Sequence, residues 1–310
     1  MRLVTVPDPA WVDRLHAMGA VGGLTVRHWD LSAEPPDSGI GFVVPMMGHP
    51  ERFPRLATLP RLEVVQVVTA GFDHVLSHLP PGVTLCNAAG VHDAATAEFA
   101  VALVLASLRG IPEFVAAQQR AAWVPLRTWP ALAGRRVLVV GYGRIGHAVA
   151  ARLAPFEVRL TAVARGARGG DGIVDRVHGV DELPGLLPEQ DVVVLLTPLA
   201  ESTRGLVDAA FLAALPDGAL VVNVARGAVV DTDALLAETA SGRLRAALDV
   251  HAVEPLPTAH ALWRTPGVLV TPHVGGAGDT FEPRMLALLH EQLTRYAAGA
   301  PLLNVVRAGH

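Results

Sequence analysis

The chain has 310 residues, a formal net charge of −4 and 51% hydrophobic residues. That length suits two domains of ordinary size with a large core, and mild acidity without a basic run argues against nucleic acid as a partner. The 25 basic side chains are all arginine, which excludes a lysine Schiff base, a phosphate-loop lysine and a lysine general base.

The elements alternate short Val/Leu-rich runs with helical stretches, the pattern of βαβ units and parallel sheets. MRLVTV, LTVRHW, GFVVP, LEVVQVV and VTLCN read as the first five strands. Met46 and Met47 fall in the loop after the third, where they can touch a ligand side chain or simply fill a gap. Cys86, the only cysteine, sits in an apolar segment and is expected to pack rather than react; no disulfide or Cys-based zinc site can form within one chain, and no metal site is expected. A helix is expected over 94–109, then a second helix and a connection rich in Trp and Pro that carries Trp123 and Trp129. The longest apolar runs, such as 99–106, are too short to span a bilayer, and MRLVTVPDPAW lacks the regions of a signal peptide. A cytoplasmic enzyme with no membrane partner is the expectation.

A second strand series begins at RRVLVVG and continues through VRLTAVA, DVVVLL, ALVVNV, RAALDV and GVLVTP. Its first strand runs into Gly141-Tyr-Gly-Arg-Ile-Gly146 and then a helical pattern. A lone GxGxxG is weak in a chain with 30 glycines, but strand–turn–helix is the context that a dinucleotide-binding unit requires. Gly141 makes the tight turn, Gly143 admits the pyrophosphate, and Gly146 lets helix and strand pack closely; the helix N-terminus adds free N–H groups. About twenty residues on, where an acid usually holds the adenosine ribose, stands Ala164, followed by Arg165 and Arg168; no acid occurs before Asp171. A carboxylate there repels a 2′-phosphate and an arginine attracts it, so NADP(H) is the preferred cofactor and NAD(H) remains possible. The alternative is that the two arginines only solvate an exposed loop.

Three further segments end strands of this series: 223–231 with Arg226, 248–257 with Glu254 and 271–276 with His273. In a parallel sheet, ligands sit beyond the carboxyl ends of strands, so all three point toward the glycine-rich turn. The residue types suit reduction of a 2-keto acid. Arg offers a planar fork for a carboxylate, His donates a proton near the working pH, and a carboxylate beside that His orients it and favours its charged form. Each residue alone has a structural explanation; the set at three strand ends of one nucleotide-binding unit is what carries the reading. The tail reads as a helix stopped by Gly299, then a short strand that could rejoin the first sheet.

With TAGFDHV, NAAGVHDAATAEFAVALVLA, GYGRIG, TPLAESTRGLVD, NVARGAVVDTDAL, ALDVHAVEPLP and TPHVGG in this order, the sequence resembles the D-isomer-specific 2-hydroxyacid dehydrogenase family over about 66–276. The resemblance implies an α/β protein with two Rossmann-like or flavodoxin-like domains, parallel sheets and an active-site cleft between them. The expected bounds are 1–95 for the substrate-binding domain, 96–283 for the dinucleotide-binding domain with a dimerisation arm, and 284–310 for a helix returning to the first domain. It further implies that Arg226 binds the substrate carboxylate and polarises the carbonyl, that His273 is the acid/base and Glu254 its partner, and that the amides of Ala70 and Gly71 hold the carboxylate. On the cofactor side it implies Arg144 and Ile145 at the pyrophosphate, and Val224, Ala225 and Arg226 along the nicotinamide. Asp249 would take the carboxamide, and His273, Val274, Gly275 and Gly276 would close over the ring. Relatives pair as homodimers through the arm bearing Trp123 and Trp129.

Ala164 in place of the ribose acid is the pattern of the family's NADPH-dependent glyoxylate/hydroxypyruvate reductase branch. Glu254 departs from the glutamine of formate dehydrogenases, and the lack of lysine from phosphite dehydrogenases. The expected activity is NADPH-dependent reduction of a small 2-keto acid. The alternatives are an NAD-dependent D-2-hydroxyacid dehydrogenase, such as a phosphoglycerate dehydrogenase-like enzyme, and a nucleotide-sensing protein like the co-repressors that share the fold.

Overall fold

The expected strands recur in a computed structural model that describes residues 2–19 and 22–309. The chain divides into a unit of Met1–His92 with Asp279–His310 and a unit of Asp93–Gly278, a few residues ahead of the seams expected at 95/96 and 283/284.

The first unit opens with β1 (Arg2–Val6), α1 (Pro9–Ala17), β2 (Leu24–His28), β3 (Ile40–Val43), β4 (Val64–Gln66) and β5 (Thr84–Cys86). These strands pair in parallel. Cys86 is buried in β5 and burial pushes its thiol up to about 11, so it packs as a small apolar residue.

The second unit begins with α2 (Asp93–Leu108) and α3 (Ile111–Gln119). α2 is apolar on nearly every side, and it is sandwiched in the core, where Ala97, Val101 and Val104 share a cluster with Val149 and Ala150. Beyond α3 the connection keeps Trp129 packed edge-on against Phe114 at 5.1 Å, whereas Trp123 is 94% exposed. Then follow β6 (Arg136–Val140), α4 (Arg144–Leu153), β7 (Arg159–Ala164), β8 (Arg168–Gly169), β9 (Arg176–Gly179), α5 (Leu183–Leu186), β10 (Val192–Leu195), α6 (Ala209–Ala213), β11 (Leu220–Asn223), α7 (Thr232–Ala240), β12 (Arg245–Leu248) and β13 (Val268–Val270). The sheet order is β13-β12-β11-β10-β6-β7-β9-β8. All its pairings are parallel except β8 with β9. The order reverses at β6 and β10, the switch point where such sheets bind ligands. β10 and β11 are wholly buried, as expected of parallel strands covered on both faces.

Two features of this sheet were not anticipated. The sequence pattern marks no strand between VRLTAVA and DVVVLL; the structure forms the short hairpin β8–β9 there, with β9 parallel to β7 and β8 outermost. Within the connection to β9, Asp171 accepts from the amides of Ile173 and Val174, a local turn that sets the hairpin.

The chain returns to the first unit as α8 (Phe281–Ala298) and β14 (Val305–Arg307). Gly299, at φ 65°, stops α8 in the left-handed conformation that glycine adopts without penalty. β14 pairs antiparallel with β5, completing the order β14-β5-β4-β3-β1-β2. Met285, Leu289, Leu293 and Tyr296 of α8 fill the core between Trp11 and Phe42. Among them lies a buried polar clamp. Gln292 Nε2 donates to Gln66 Oε1 at 2.7 Å and to the Leu303 carbonyl at 3.0 Å, while Gln292 Oε1 accepts from the Leu303 amide at 2.7 Å.

Gln292→Leu should therefore destabilise the protein although it adds apolar surface. Each buried group left without a partner costs roughly 1–3 kcal/mol. A urea melt should show a lower midpoint; an unchanged one would mean that these groups find other partners.

Candidate active site

The glycine-rich turn follows β6 at the switch point. Gly141 adopts φ 106° and donates to the Val163 carbonyl at 2.9 Å. A Cβ there would lie 2.5 Å from the Leu196 carbonyl carbon and 2.6 Å from the Thr197 nitrogen, so only glycine fits between β6 and the end of β10. A Cβ on Gly146 would run into the Gly141 carbonyl. Gly143 differs: a Cβ there would meet nothing within 4 Å. No protein group demands glycine at this position, and the space is what a bound pyrophosphate would fill. α4 starts at Gly143 without a side-chain cap, which leaves the first-turn amides of Arg144, Ile145 and Gly146 without intrahelical acceptors. The Arg144 side chain is turned to Asp93, with Nε donating to Oδ2 at 2.9 Å. Thr197 Oγ1, two residues past β10, is buried without a hydrogen-bond partner among the described residues. The residues therefore fit a dinucleotide: a turn of the right shape, unclaimed helix amides, and an orphaned hydroxyl beside them.

At the end of β7, Ala164 is half-buried and Arg165 exposed. Arg165 has no hydrogen bond or ion pair among the described residues. Arg168 folds back instead, donating from Nη2 to the Tyr142 carbonyl at 2.6 Å with its guanidinium 5.8 Å from the Tyr142 ring centre. Tyr142 donates its hydroxyl to Asp171 Oδ2 at 2.9 Å, and His147 Nε2 stands 3.6 Å from the same oxygen. Burial, and then this hydrogen bond, push the Tyr142 phenol above its ordinary range. Asp171 is thus committed to Tyr142 and to its own turn, and of the two arginines Arg165 is the one without a partner among the described residues.

The ends of β11, β12 and β13 bring Arg226, Glu254 and His273 together. After β11, buried Asn223 staples the turn: Nδ2 donates to the Arg226 carbonyl at 3.0 Å and Oδ1 accepts from the Ala225 amide at 3.0 Å. Arg226 donates from Nη1 to the Ala225 carbonyl at 2.8 Å. Val224 and Ala225 are buried in the same turn. At Gly227 a Cβ would collide with the His251 carbonyl, so the Arg226 turn lies directly on the loop after β12.

That loop carries Asp249 and Glu254. Asp249 is buried, and its carboxylate accepts from the Val274 amide at 3.0 Å, the Gly275 amide at 2.8 Å and Thr271 Oγ1 at 2.7 Å. In this structure Asp249 thus holds the 271–275 turn in place, a contact that the sequence did not reveal; a carboxylate has lone pairs left for a further donor. His273 sits in that turn at φ 56°, a conformation uncommon outside glycine but tolerated by His. Its Nδ1 is 2.7 Å from Glu254 Oε2. An ionised carboxylate only accepts, so Nδ1 carries the proton and Nε2 is the end left for chemistry.

The electrostatics follow from these contacts. The hydrogen bond to Glu254 raises His273 above its ordinary value; burial opposes this, the Glu254 and Asp249 charges add to it, and Arg226 works against it. Burial alone would raise Glu254, but the bonds from His273 and the His251 amide outweigh it and hold the carboxyl below its usual value. Near neutrality the pair is a carboxylate beside an imidazole biased toward its charged form, with an arginine on the adjoining strand end.

In the first unit, the Thr69–Gly71 turn has its carbonyls occupied: Asn87 Nδ2 donates to Ala70 O at 2.7 Å and Thr69 Oγ1 to Gly71 O at 2.5 Å. The amides of Ala70 and Gly71 donate to no described group. Met46 and Met47 line a small recess with Thr69 and His74 beside this turn. Sequence reading missed Thr197, Asn223, Gly227 and His251 as parts of the site. Only Asn223 carried a local signal, as an Asn ending a strand before a turn.

The sequence model of the D-isomer specific 2-hydroxyacid dehydrogenase NAD binding domain matches residues 101–275. The chain belongs to the D-isomer specific 2-hydroxyacid dehydrogenase family. It is therefore an oxidoreductase of the nicotinamide-dependent type, acting on a small keto or hydroxy acid. The glyoxylate reductase of Thermofilum pendens is 34% identical over 250 residues, covering 77% of this chain and 73% of that protein. The human glyoxylate reductase/hydroxypyruvate reductase is 29% identical and covers 92% of both chains. Among solved structures, a family member from Xanthobacter autotrophicus in complex with NADPH and MES superposes with a TM-score of 0.82 at 33% identity, covering 98% of this chain and 97% of that one. An NADPH-dependent glyoxylate/hydroxypyruvate reductase from Sinorhizobium meliloti, in complex with NADP and sulfate, gives 0.83 at 29% identity, with 99% and 98% covered.

The family member's His273 should titrate above the ordinary histidine range in an NMR pH series on its imidazole signals. Glu254→Gln removes the charge that holds it up and leaves Arg226, so the titration should move to lower pH. Coincident curves for the two proteins would mean that Glu254 does not tune His273.

Proposed function

We propose that this dehydrogenase reduces a small 2-keto acid, glyoxylate or hydroxypyruvate or a near analogue, to the D-2-hydroxy acid with NADPH. The observation that carries the reaction is the His273–Glu254 contact of 2.7 Å beside Arg226. A bound nicotinamide supplies the hydride that adds to the keto carbon. The carbonyl oxygen gains negative charge as this happens, and His273 gives it the proton from Nε2, keeping its Nδ1 proton on Glu254. Arg226 binds the substrate carboxylate with its planar fork and draws charge toward the carbonyl oxygen. Reduction needs His273 protonated, so it falls as pH rises through the raised His273 value; oxidation of the hydroxy acid needs the neutral ring and rises over the same interval.

The first-turn amides of α4 would hold the cofactor's pyrophosphate. Ala164 would leave room at the ribose, and Arg165, which has no partner among the described residues, would take the 2′-phosphate. NADPH and NADP in the two solved relatives support this choice.

The deciding experiment is a panel of 2-keto acids assayed with both cofactors. Catalytic efficiency should be highest for short keto acids with NADPH; equal efficiency with NADH would sink the cofactor choice, and no turnover of any keto acid would sink the reaction. Arg165→Ala should raise the NADPH KM by about 10–100-fold, since a hydrogen bond to a charged group is worth roughly 1.5–3 kcal/mol, and should change NADH use little.

Arg226→Lys keeps the charge but loses the fork. A large fall in kcat/KM with cofactor affinity retained is expected, and near-wild-type efficiency would show that Arg226 is not the carboxylate anchor.

A further inference from the structure

His251 is buried, lies three residues before Glu254, and is not among the residues given a chemical role above. Its connections reach all three of those strand ends. Through its backbone amide it donates to Glu254 Oε1 at 2.8 Å. Through its ring, Nε2 stands 3.0 Å from the Thr271 carbonyl, at the start of the turn that presents His273. Its own carbonyl is the group against which Gly227 is pressed, directly after Arg226. A carbonyl only accepts, so Nε2 carries the ring proton. Nδ1 is buried with no partner among the described residues, so the ring is held by one hydrogen bond and by packing.

The geometry points to His251 as a positioning residue: its ring pins the loop after β12 to the loop after β13, and this holds Glu254 with one oxygen on the His251 amide and the other on His273. The inference rests on the reading of Glu254 and His273 as the proton-transfer pair and deepens it. Without the pin, the 249–254 loop keeps its amide but loses the fixed distance to the His273 turn. Glu254 can then swing away from Nδ1, and His273 loses both its orientation and the charge that favours its protonated form. Among the described residues, few charged groups face the pair. Arg226, Glu254 and Asp249 surround His273, and His273 and His251 surround Glu254. Asp249 is held by three donors from the His273 side, so it cannot replace Glu254.

The unpartnered Nδ1 makes the substitution clean. His251→Leu removes a single hydrogen bond at nearly constant volume, whereas His251→Gln keeps an N–H at about the place of Nε2. The test is an NMR titration of His273 in the wild type and both variants, with the His273 signal assigned from a His273→Ala spectrum among the 13 histidines. It is run beside keto-acid kinetics and thermal melts. In His251→Leu the His273 titration should move toward the ordinary range. The kcat for reduction near neutrality should fall about tenfold or more, a part of the roughly 10²–10⁴-fold that a positioned acid–base group supplies, while substrate KM changes little. His251→Gln should restore both.

A His273 titration unchanged in His251→Leu would overturn the proposal, and if His251→Leu does not fold, a His273 titration that falls to the ordinary range in His251→Gln would overturn it as well. Because the titration needs no turnover, the two readings fail separately. An enzyme inactive on keto acids whose His273 still shifts refutes the proposed substrate but supports the positioning role. A wild-type His273 that titrates in the ordinary range overturns both the Glu254 pairing and the role of His251.

Discussion

Parallel pairing in β6, β10, β11, β12 and β13 sends five carboxyl ends to one edge of a single sheet, and the chemistry of the second unit is built on that edge. Nothing in the sheet itself is reactive. It is a packed layer of Val, Leu and Ala whose rigidity fixes where the following loops begin. The loops are then joined sideways by short polar contacts: Asn223 across its own turn, Asp249 to the turn after β13, Glu254 to His273. Position comes from the apolar layer and orientation from the polar contacts, so losing a contact should disturb chemistry before it disturbs folding.

The charges are graded in the same way. Asp249 is buried and held by three donors from the adjoining turn, a fixed negative group with a structural task. Glu254 has one oxygen on a backbone amide and the other on an imidazole, so its charge is directed at one atom. Arg226 opposes it at His273. An arginine strong enough to hold a carboxylate would by itself favour the neutral ring; Glu254 is what allows an anion anchor and a proton donor to stand side by side.

Much of this was legible in the sequence because it depends on local order. The five first-domain strands, the helix near 94–109, the glycine-rich turn and the return of the tail to the first sheet each follow from runs of residues with a clear period or stop signal. Arg226, Glu254 and His273 were legible because each lies in the loop after a strand of one parallel sheet. What was missed depends on contact between distant segments. β8 and β9 are two and four residues long, too short for an alternating pattern to register. Arg168 looked equivalent to Arg165, but only the fold shows its guanidinium turned to the Tyr142 carbonyl. Gly227 looked like one glycine among 30; its reason is the His251 carbonyl, 24 positions away in number and adjacent in space.

The division of the chain has a temporal side. The first unit is discontinuous, Met1–His92 with Asp279–His310, and the second is one uninterrupted stretch between them. α8 contributes Met285, Leu289, Leu293 and Tyr296 to the first core, and β14 closes the edge of β5. As the polypeptide leaves the ribosome, the nucleotide-binding sheet has all its strands while the opening segment still lacks its covering helix and its last strand. The part made first is thus the part completed last, and through most of synthesis its β5 edge and the face around Trp11 and Phe42 are open to mispairing.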